Sequence, residues 1–331
     1  MEMLKKGRGL ATIMFGFGYG EGFPDHSIAE IEFTEDKILI RTSAADVGQG
    51  VQTVVTQIAA EVLKISPEHF EIVEGDTHTT QNAGSTSATR QTFFTGNAVK
   101  EAAEDLLGKI YHHASQLFTT NHPEMGVKDG KVFPHGEQEK EMTYWELAEK
   151  LKENNIELKG RGTFFPKTYK PDQRTGESKK IYVGYTFISQ VIDLFVDTIT
   201  GEVTVDKVHT ALDVGKAINP QGVEGQIEGG TVQGIGMALM EEQVIENGFT
   251  INADMSRYLI PTSADSPEFQ SVLIEREDTK GPYGAKGIGE PCTIAAAPAV
   301  ANAVYDAIGV RIKDLPITPE KIKAELAKLE N

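Results

Sequence analysis

The 331-residue chain holds a single cysteine, Cys292, and a single tryptophan. One thiol excludes an internal disulfide, and it excludes an iron–sulfur cluster held by this chain alone, which normally needs four thiolates. A structural zinc site also lacks its ligands. The eight histidines are scattered, and no HExxH or His-x-His pattern with nearby carboxylates accompanies them. Positive charge is scarce too: 32 Lys and Arg stand against 49 Asp and Glu, a net charge of −17. No basic face is available in bulk to neutralise phosphates, so nucleic-acid binding is not expected. No apolar run reaches the length of a membrane span. Glycines interrupt the apolar part of the start, "MEMLKKGRGLATIMFGFGYGEG", and no signal-peptide cleavage site follows. A cytoplasmic protein that binds neither membrane nor nucleic acid is the expectation. Any redox chemistry must then pass its electrons to another chain.

Three common catalytic signatures are missing as well. "GFGYGEG" (16–22) leads into an alternating strand rather than a helix, so it is not a dinucleotide-binding turn. There is no GxxxxGK[ST] phosphate loop and no G-x-S-x-G elbow for a serine nucleophile.

What is present is a repeated rhythm of strands, a glycine-rich loop, and a helix whose start faces that loop. "SIAEIEF" and "KILIRT" alternate around "TEDK" as a hairpin. Val51, Val54, Val55, Ile58, Val62 and Leu63 form one apolar stripe of a helix. "HFEIVEG" reads as a strand, a second long helix is expected from near Thr95, and Thr143 with Glu146 makes a capping box for a third. The Pro-, Gly- and Ser-containing basic stretch 167–180 reads as a surface linker, which puts a domain boundary near 170. Beyond it come two long strands joined around Thr200–Gly201. Next is a helix with five glycines in "VEGQIEGGTVQGIGMALMEE", and each glycine costs about 1 kcal/mol in a helix interior. Such glycines imply close approach of other backbone. An alanine-rich helix after Glu290 and a Pro-started helix close the chain.

Four polar loops carry the chemistry. "DVGQG" exposes the amide of Gln49 at a helix start, where backbone N–H groups favour anions; a plain helix cap explains it equally well. In "AGSTSATRQT" seven of ten side chains are polar, enough to cradle phosphates and a heterocycle, although most such loops are simply solvated. In "GQIEGGTVQGIG", Gln226 and Gln233 share a helix face. "GIGEP" sets Glu290 between glycines and Pro291, as a catalytic carboxylate or as an acidic helix start favoured by the dipole.

Taken together, "DVGQG" with "QIAAE", "GSTSATRQT" with "GNAV", "DVGKAINP" with "VEGQIEGG", and "GIGEP" with "AVANAVYDAIGVRIKDLPITPEKI" resemble the molybdenum-binding subunit of the xanthine dehydrogenase and aldehyde oxidase family. The likeness runs over nearly the whole chain in the family's order, but begins about halfway through the family's subunit. With its own Met1 and terminal helix, the chain most resembles the medium molybdopterin subunit of nicotinate dehydrogenases, in which two chains share one site. The resemblance implies an α+β fold of two intertwined mixed α/β molybdopterin-binding domains, 1–170 and 171–331, the second carrying the catalytic glutamate. It implies a molybdenum hydroxylase that adds water-derived oxygen to an electron-poor heteroaromatic ring, nicotinate to 6-hydroxynicotinate first. A split xanthine or purine dehydrogenase and an aldehyde oxidoreductase stay open, as do an inactive pterin-binding scaffold and an unrelated sugar- or nucleotide-binding module. Glu290 matches the family's base, buried beside the cofactor. Gly48, Gln49, Gly50, Ser87, Ala88, Thr89, Arg90 and Gln91 match pterin contacts, Ala88 being the small residue that faces the metal. Gln233 matches the amide near the metal's ligands, and Phe17 and Tyr19 fall in a substrate wall. The implied cofactor is molybdenum–molybdopterin cytosine dinucleotide, with a sulfido or selenido ligand and no protein side chain on the metal. The implied partners are a larger molybdopterin subunit, an Fe–S subunit and an FAD subunit.

Overall fold

The computed structural model describes residues 3–118 and 124–329. Strands β1 (Leu4–Phe17), β2 (Ser27–Phe33) and β3 (Ile38–Thr42) lead to helix α1 (Val51–Leu63), and β4 (Phe70–Glu74) leads to α2 (Gln91–Leu117). The short strands β5 (Met125–Lys128), β6 (Lys131–Pro134) and β7 (Met142–Thr143) precede α3 (Tyr144–Lys152). Then follow β8 (Lys159–Phe164), β9 (Gly184–Asp197), β10 (Val203–Asp213) and α4 (Pro220–Leu239). The hairpin β11 (Ile245–Glu246) and β12 (Phe249–Thr250), β13 (Glu268–Ile274), α5 (Pro291–Ile308) and α6 (Pro319–Leu329) complete the chain.

The chain forms two compact units. One comprises residues 16–184 and 277–287, the other 1–15, 185–276 and 288–331. The first holds a sheet in the order β4-β3-β2-β8, with β2 antiparallel to β3 and β8, and β3 parallel to β4. The second holds a sheet in the order β13-β10-β9-β1, with β10 antiparallel to β9 and parallel to β13. Beside β9, the Lys6 ammonium lies over the Phe195 ring, Arg8 bonds Asp193 and the Thr12 hydroxyl meets Ser189. One index rises as the other falls, so β1 runs antiparallel to β9. Strand order and directions are the same in both sheets.

That identity exposes a tandem repeat. The series β1-β2-β3-α1-β4-α2 recurs as β8-β9-β10-α4-β13-α5, but the first strand of each series pairs in the other's sheet. Each sheet thus takes its edge strand from the other series. Both copies carry a "DVG" turn: the N–H of Gly48 bonds the Asp46 carboxylate at 2.9 Å, and the N–H of Gly215 that of Asp213 at 3.2 Å. Both exchanged strands also read "KGRG", at 6–9 and 159–162. A Cβ on Gly7 or Gly9 would lie 2.0 or 2.1 Å from the carbonyl oxygens of Ala303 and Ala299 on α5. On Gly160 or Gly162 it would lie 2.0 Å from those of Ala102 and Ala98 on α2. Strand backbone therefore rests directly on helix backbone, and only glycine opposite alanine allows it. Around these contacts Ile192, Leu194, Val196 and Val208 pack on Ala296, Val300, Ile235 and Ala238 of α5 and α4.

Hairpin, stripe helix, capping box and glycine-studded helix stand as the sequence implied. Close approach holds for two of its glycines on α5: a Cβ on Gly230 would meet Cys292 at 2.9 Å, and one on Gly234 the Thr293 carbonyl at 2.5 Å. Two expectations change. Helix α2 starts at Gln91, a turn before Thr95, because the Gln91 amide is buried on the Ser85 carbonyl and the Thr86 hydroxyl. Its polarity concealed a helical turn. The stretch 167–180 is no linker, since it lies inside the unit 16–184. Backbone bonds across the loop, from Tyr169 N–H to the Lys180 carbonyl (2.9 Å) and from Asp172 N–H to the Glu177 carbonyl (2.8 Å), order it. No cut falls near 170, and neither unit is one continuous stretch.

Replacing Gly9 or Gly162 by alanine forces a methyl into a helix carbonyl, and each change should cost about 1–3 kcal/mol in thermal or urea denaturation. Gly108, exposed on α2 with open space around it, serves as the control, and its alanine variant should gain up to about 1 kcal/mol.

Candidate functional site

In the first unit, the loop 46–50 is organised by Asp46. Its carboxylate accepts from the N–H groups of Gly48, Gly50 (3.2 Å) and Gln52 (3.2 Å). The anion position at the start of α1 is thus filled by the chain itself. Gln49 is not presented outward. Its amide accepts from Val47 N–H at 2.7 Å and donates to the Ala45 carbonyl at 3.2 Å, closing its own loop. What the loop offers is bare main chain: Gly48 and Gly50 have φ of +104° and +80°, with no atom within 4 Å of a Cβ at either.

The loop 84–91 is held from within by Arg90, only 1% exposed. Its guanidinium donates to the carbonyls of Ala83 (2.6 Å) and His26 (2.7 Å), pairs with Asp25 at 2.7 Å and stacks 4.6 Å from the Phe94 ring centroid. Gly84 is needed here because a side chain would strike that guanidinium at 2.6 Å. Arg90 therefore shapes the loop, and its side chain does not reach outward as a phosphate ligand. Gln91 is likewise buried, with the Thr95 hydroxyl donating to its carbonyl oxygen.

With both long side chains turned in, the outer part of this loop is Ser85, Ser87 and the main chain of Ala88 and Thr89. Ala88 and Thr89 have φ of +51° and +55°. A β-branched residue there is a genuine outlier, and each such residue costs of order 1–3 kcal/mol. The surroundings enforce it. Gly18 N–H bonds the Ala88 carbonyl at 2.8 Å, the Tyr19 hydroxyl bonds Ser87, and Gly287 lies so close to the Thr89 carbonyl that a Cβ would approach to 1.8 Å. Tyr19, half-exposed, also packs its ring 4.9 Å from Phe23. Phe17 is fully buried, 4.7 Å from the Phe93 ring and clustered with Phe94 and Val183. It is core, and in this chain it offers no ring face to a substrate.

In the second unit, Glu290 is the N-cap residue of α5. Its main chain is helical (φ −74°, ψ −32°), and its carbonyl accepts from the N–H groups of Thr293 and Ile294. Its side chain makes no capping bond. The helix dipole favours an acid at this start even without such a bond. The carboxylate is exposed, so the burial expected around it is not supplied by this chain. Gln233, exposed on α4, accepts a long bond (3.4 Å) from the Thr293 hydroxyl, one turn into α5. Cys292 is fully buried, and burial pushes its thiol up to about 12, so it stays protonated and unreactive.

Arg90 and Glu290 are N-caps of corresponding helices in the two repeats, and neither side chain caps its helix. One is folded into its unit and the other is exposed. Asp25 and Asp46, which build the two loops, were missed in the sequence. An aspartate two residues before a glycine was the available signal for Asp46, whereas nothing local marked Asp25. Among the described residues, no three His, Cys, Asp or Glu side chains converge as a metal site. A cleft of about 490 Å³ beside α4, lined by Glu228, Gly229, Val232 and Phe269, holds none of the candidate residues.

The profile of the molybdopterin cofactor-binding domain matches residues 2–267. A probable hypoxanthine oxidase of Escherichia coli K12 is 32% identical over 98% of this chain and 32% of its own length. A chain of a probable xanthine dehydrogenase from Bacillus subtilis is 31% identical over 96% of this chain and 42% of its own length. The crystal structure of quinoline 2-oxidoreductase from Pseudomonas putida 86 superposes with a TM-score of 0.84 at 27% identity, over 98% of this chain and 42% of that one. The chain thus spans between a third and about two fifths of these relatives. It belongs to the molybdopterin-binding domain family of the xanthine dehydrogenases and aldehyde oxidoreductases.

Proposed function

We propose that the chain is a subunit of a molybdenum hydroxylase, in which Glu290 is the general base and the loops 46–50 and 84–91 form part of the cofactor cradle. The observation that carries the reading is Glu290 itself: an exposed carboxylate at the start of α5, after Gly287 and Gly289, with no capping task. The residues present fit a pterin dinucleotide. Gly48 and Gly50 leave open main chain, and Ser85 and Ser87 are exposed hydroxyls beside the left-handed turn at Ala88 and Thr89. Such a group binds through hydrogen bonds and close backbone approach rather than through a ligand cluster. The molybdenum centre, when bound, takes up the electron pair released in the oxidation.

Glu290 accepts a proton as water-derived oxygen is added to an electron-poor ring carbon, and the Gln233 amide orients the polar groups around it. Phe17 acts from the core by fixing the end of β1, two residues before Tyr19, and the Tyr19 phenol is the group left to meet a substrate. Ala88 and Thr89 contribute main chain, and Gln49, Arg90 and Gln91 hold their loops in shape for the pterin. Nicotinate leads as substrate. A purine substrate is the second reading, because hypoxanthine and xanthine stand in the names of two relatives. Quinoline, named in the third, is again a nitrogen heteroaromatic. We place the enzyme in the cytoplasm. Its electrons leave through an Fe–S subunit and an FAD subunit, since the buried Cys292 cannot hold a cluster, and a larger molybdopterin subunit completes the site.

In the assembled enzyme, Glu290→Gln should lower turnover by about 10²–10⁴-fold while molybdenum content, read by metal analysis, stays at the wild-type level. Near-normal turnover removes Glu290 as base and restores the acidic helix start as its explanation. Acid hydrolysis of the extracted cofactor should release CMP; recovery of another nucleotide, or none, replaces the cytosine form. Assays of the complex with nicotinate, xanthine and a simple aldehyde order the substrates: nicotinate is expected to turn over fastest, and faster xanthine turnover selects the purine reading.

A further inference from the structure

The stretch 167–180 sets five cations against two acids, in a chain where acids outnumber cations 49 to 32. Asp172, one of those acids, is occupied by its own turn, accepting the N–H groups of Arg174 and Thr175 at 2.9 Å each. Elsewhere cations find carboxylates, as Arg41 and Lys159 do at Glu32 and Lys109 does at Asp105. Among the described residues, Lys167, Lys170, Arg174, Lys179 and Lys180 form no ion pair. The Tyr169 ring holds two of them: the Lys167 and Lys179 ammoniums lie 5.2 and 5.9 Å from its centroid.

Lys180 meets a sixth cation from a distant segment, because the Lys280 ammonium stands beside it. Both main chains are pinned. Lys180 donates its N–H to the Ser178 hydroxyl (3.3 Å) and accepts from Tyr169 N–H. Lys280 donates to the Asp278 carboxylate (2.8 Å) and accepts from the Asn97 amide (2.9 Å). Burial of Lys180 and the neighbouring Lys280 ammonium hold the Lys180 pKa below the ordinary lysine value, and Asp278 offsets them only in part. Two like charges fixed side by side repel, and an anion between them relieves the repulsion.

The same stretch braces the loop 16–22, which carries Tyr19. Glu21 N–H bonds the Ile181 carbonyl, next to Lys180, at 2.8 Å, and Gly22 N–H bonds the Thr168 hydroxyl at 3.0 Å. A Cβ on Gly20 would lie 2.5 Å from the Ile181 carbonyl, and one on Gly22 3.3 Å from the Lys170 side chain. The cations thus stand beside the loop whose phenol is left to meet a substrate.

From this placement we infer that Lys180 and Lys280, with the lysines around Tyr169, form an anion-binding collar at the Tyr19 loop, and that it selects heteroaromatic substrates carrying a carboxylate. The inference deepens the hydroxylase reading given above and rests on it. A chain of net charge −17 repels an anion at long range, but charges beyond about 8 Å are screened at physiological ionic strength. Within that range the local cations decide, and an approach lined by one sign of charge concentrates ligands of the other. A small carboxylate reaches the half-buried Lys180 more readily than an acidic protein surface does.

The test uses the assembled complex as wild type, as the double variant Lys180→Ala with Lys280→Ala, as Lys180→Arg, and as the control Lys128→Ala, which removes an exposed cation of β5. Equilibrium dialysis measures binding of benzoate, an anionic ring without a ring nitrogen, against neutral benzamide. Wild type should bind benzoate at least about 10-fold more tightly at low salt, and the margin should shrink as salt is raised. The double variant should lose at least about 5-fold in benzoate affinity and none in benzamide affinity, while Lys180→Arg and Lys128→Ala keep the wild-type margin. In turnover, kcat/KM for nicotinate should fall by the same factor in the double variant, relative to that for nicotinamide. A benzoate margin unchanged in the double variant overturns the inference. Equal losses for benzoate and benzamide also overturn it, since they mark a structural role for the lysines. So does loss of an acidic partner chain from the complex with the benzoate margin kept, which makes the collar a protein-docking face. A wild-type complex that shows the lysine-dependent margin but does not hydroxylate nicotinate upholds the collar and sinks the nicotinate reading. One that hydroxylates nicotinate and shows no margin sinks the collar alone.

Discussion

The fold depends on two places where strand main chain lies against helix main chain without a side chain between them. Gly7 and Gly9 on α5, and Gly160 and Gly162 on α2, set the distance between sheet and helix in each unit. That distance fixes where each helix begins, and the helix starts are where the candidate residues stand. A methyl group at any of the four strand positions would push the helix outward along its length. Glu290 at the start of α5, and the left-handed turn before α2, would move with it.

The repeat gives those helix starts opposite assignments. At α2 the N-cap residue is Arg90, drawn inward by Asp25 and by the carbonyls of Ala83 and His26, so a buried cation becomes the frame of a loop. Breaking such a buried pair on one side is strongly destabilising. That frame holds Ala88 and Thr89 at positive φ, where an unsupported loop would relax. At α5 the N-cap residue is Glu290, which stabilises nothing locally by capping its helix. The same topological position carries a buried side chain in one repeat and an exposed one in the other.

Local patterns in the sequence were legible wherever one periodicity ruled. The alternation of "SIAEIEF", the stripe from Val51 to Leu63 and the Thr143–Glu146 box all became the elements they implied. Glycine in α4 was read for its physical cause, and Gly230 and Gly234 do meet α5 closely. Long-range pairing was not legible. Nothing near Phe17 announces that Phe93 will bury it, and nothing near Arg90 announces Asp25, 65 positions earlier in the chain. The polar residues of 84–91 looked alike in sequence, but tertiary contacts sorted them into buried braces, Arg90 and Gln91, and exposed hydroxyls, Ser85 and Ser87. The stretch 167–180 misled because a polar, proline-containing composition describes an ordered surface loop as well as a linker.

The exchange of edge strands sets an order of events during synthesis. β1 ends at Phe17, but its sheet neighbour β9 begins at Gly184. A chain growing from its N-terminus must therefore carry an unpaired first strand through most of the synthesis of the first unit. That unit in turn waits for β8 before its own sheet has its fourth strand. Contacts of such sequence separation slow folding, and an open strand edge invites pairing with the wrong partner while it waits. Lys5, Lys6 and Arg8 lie along that waiting strand, and charges of one sign on an exposed edge discourage such mispairing. These three basic residues thus stand on the open edge until β9 is made and Arg8 can reach Asp193.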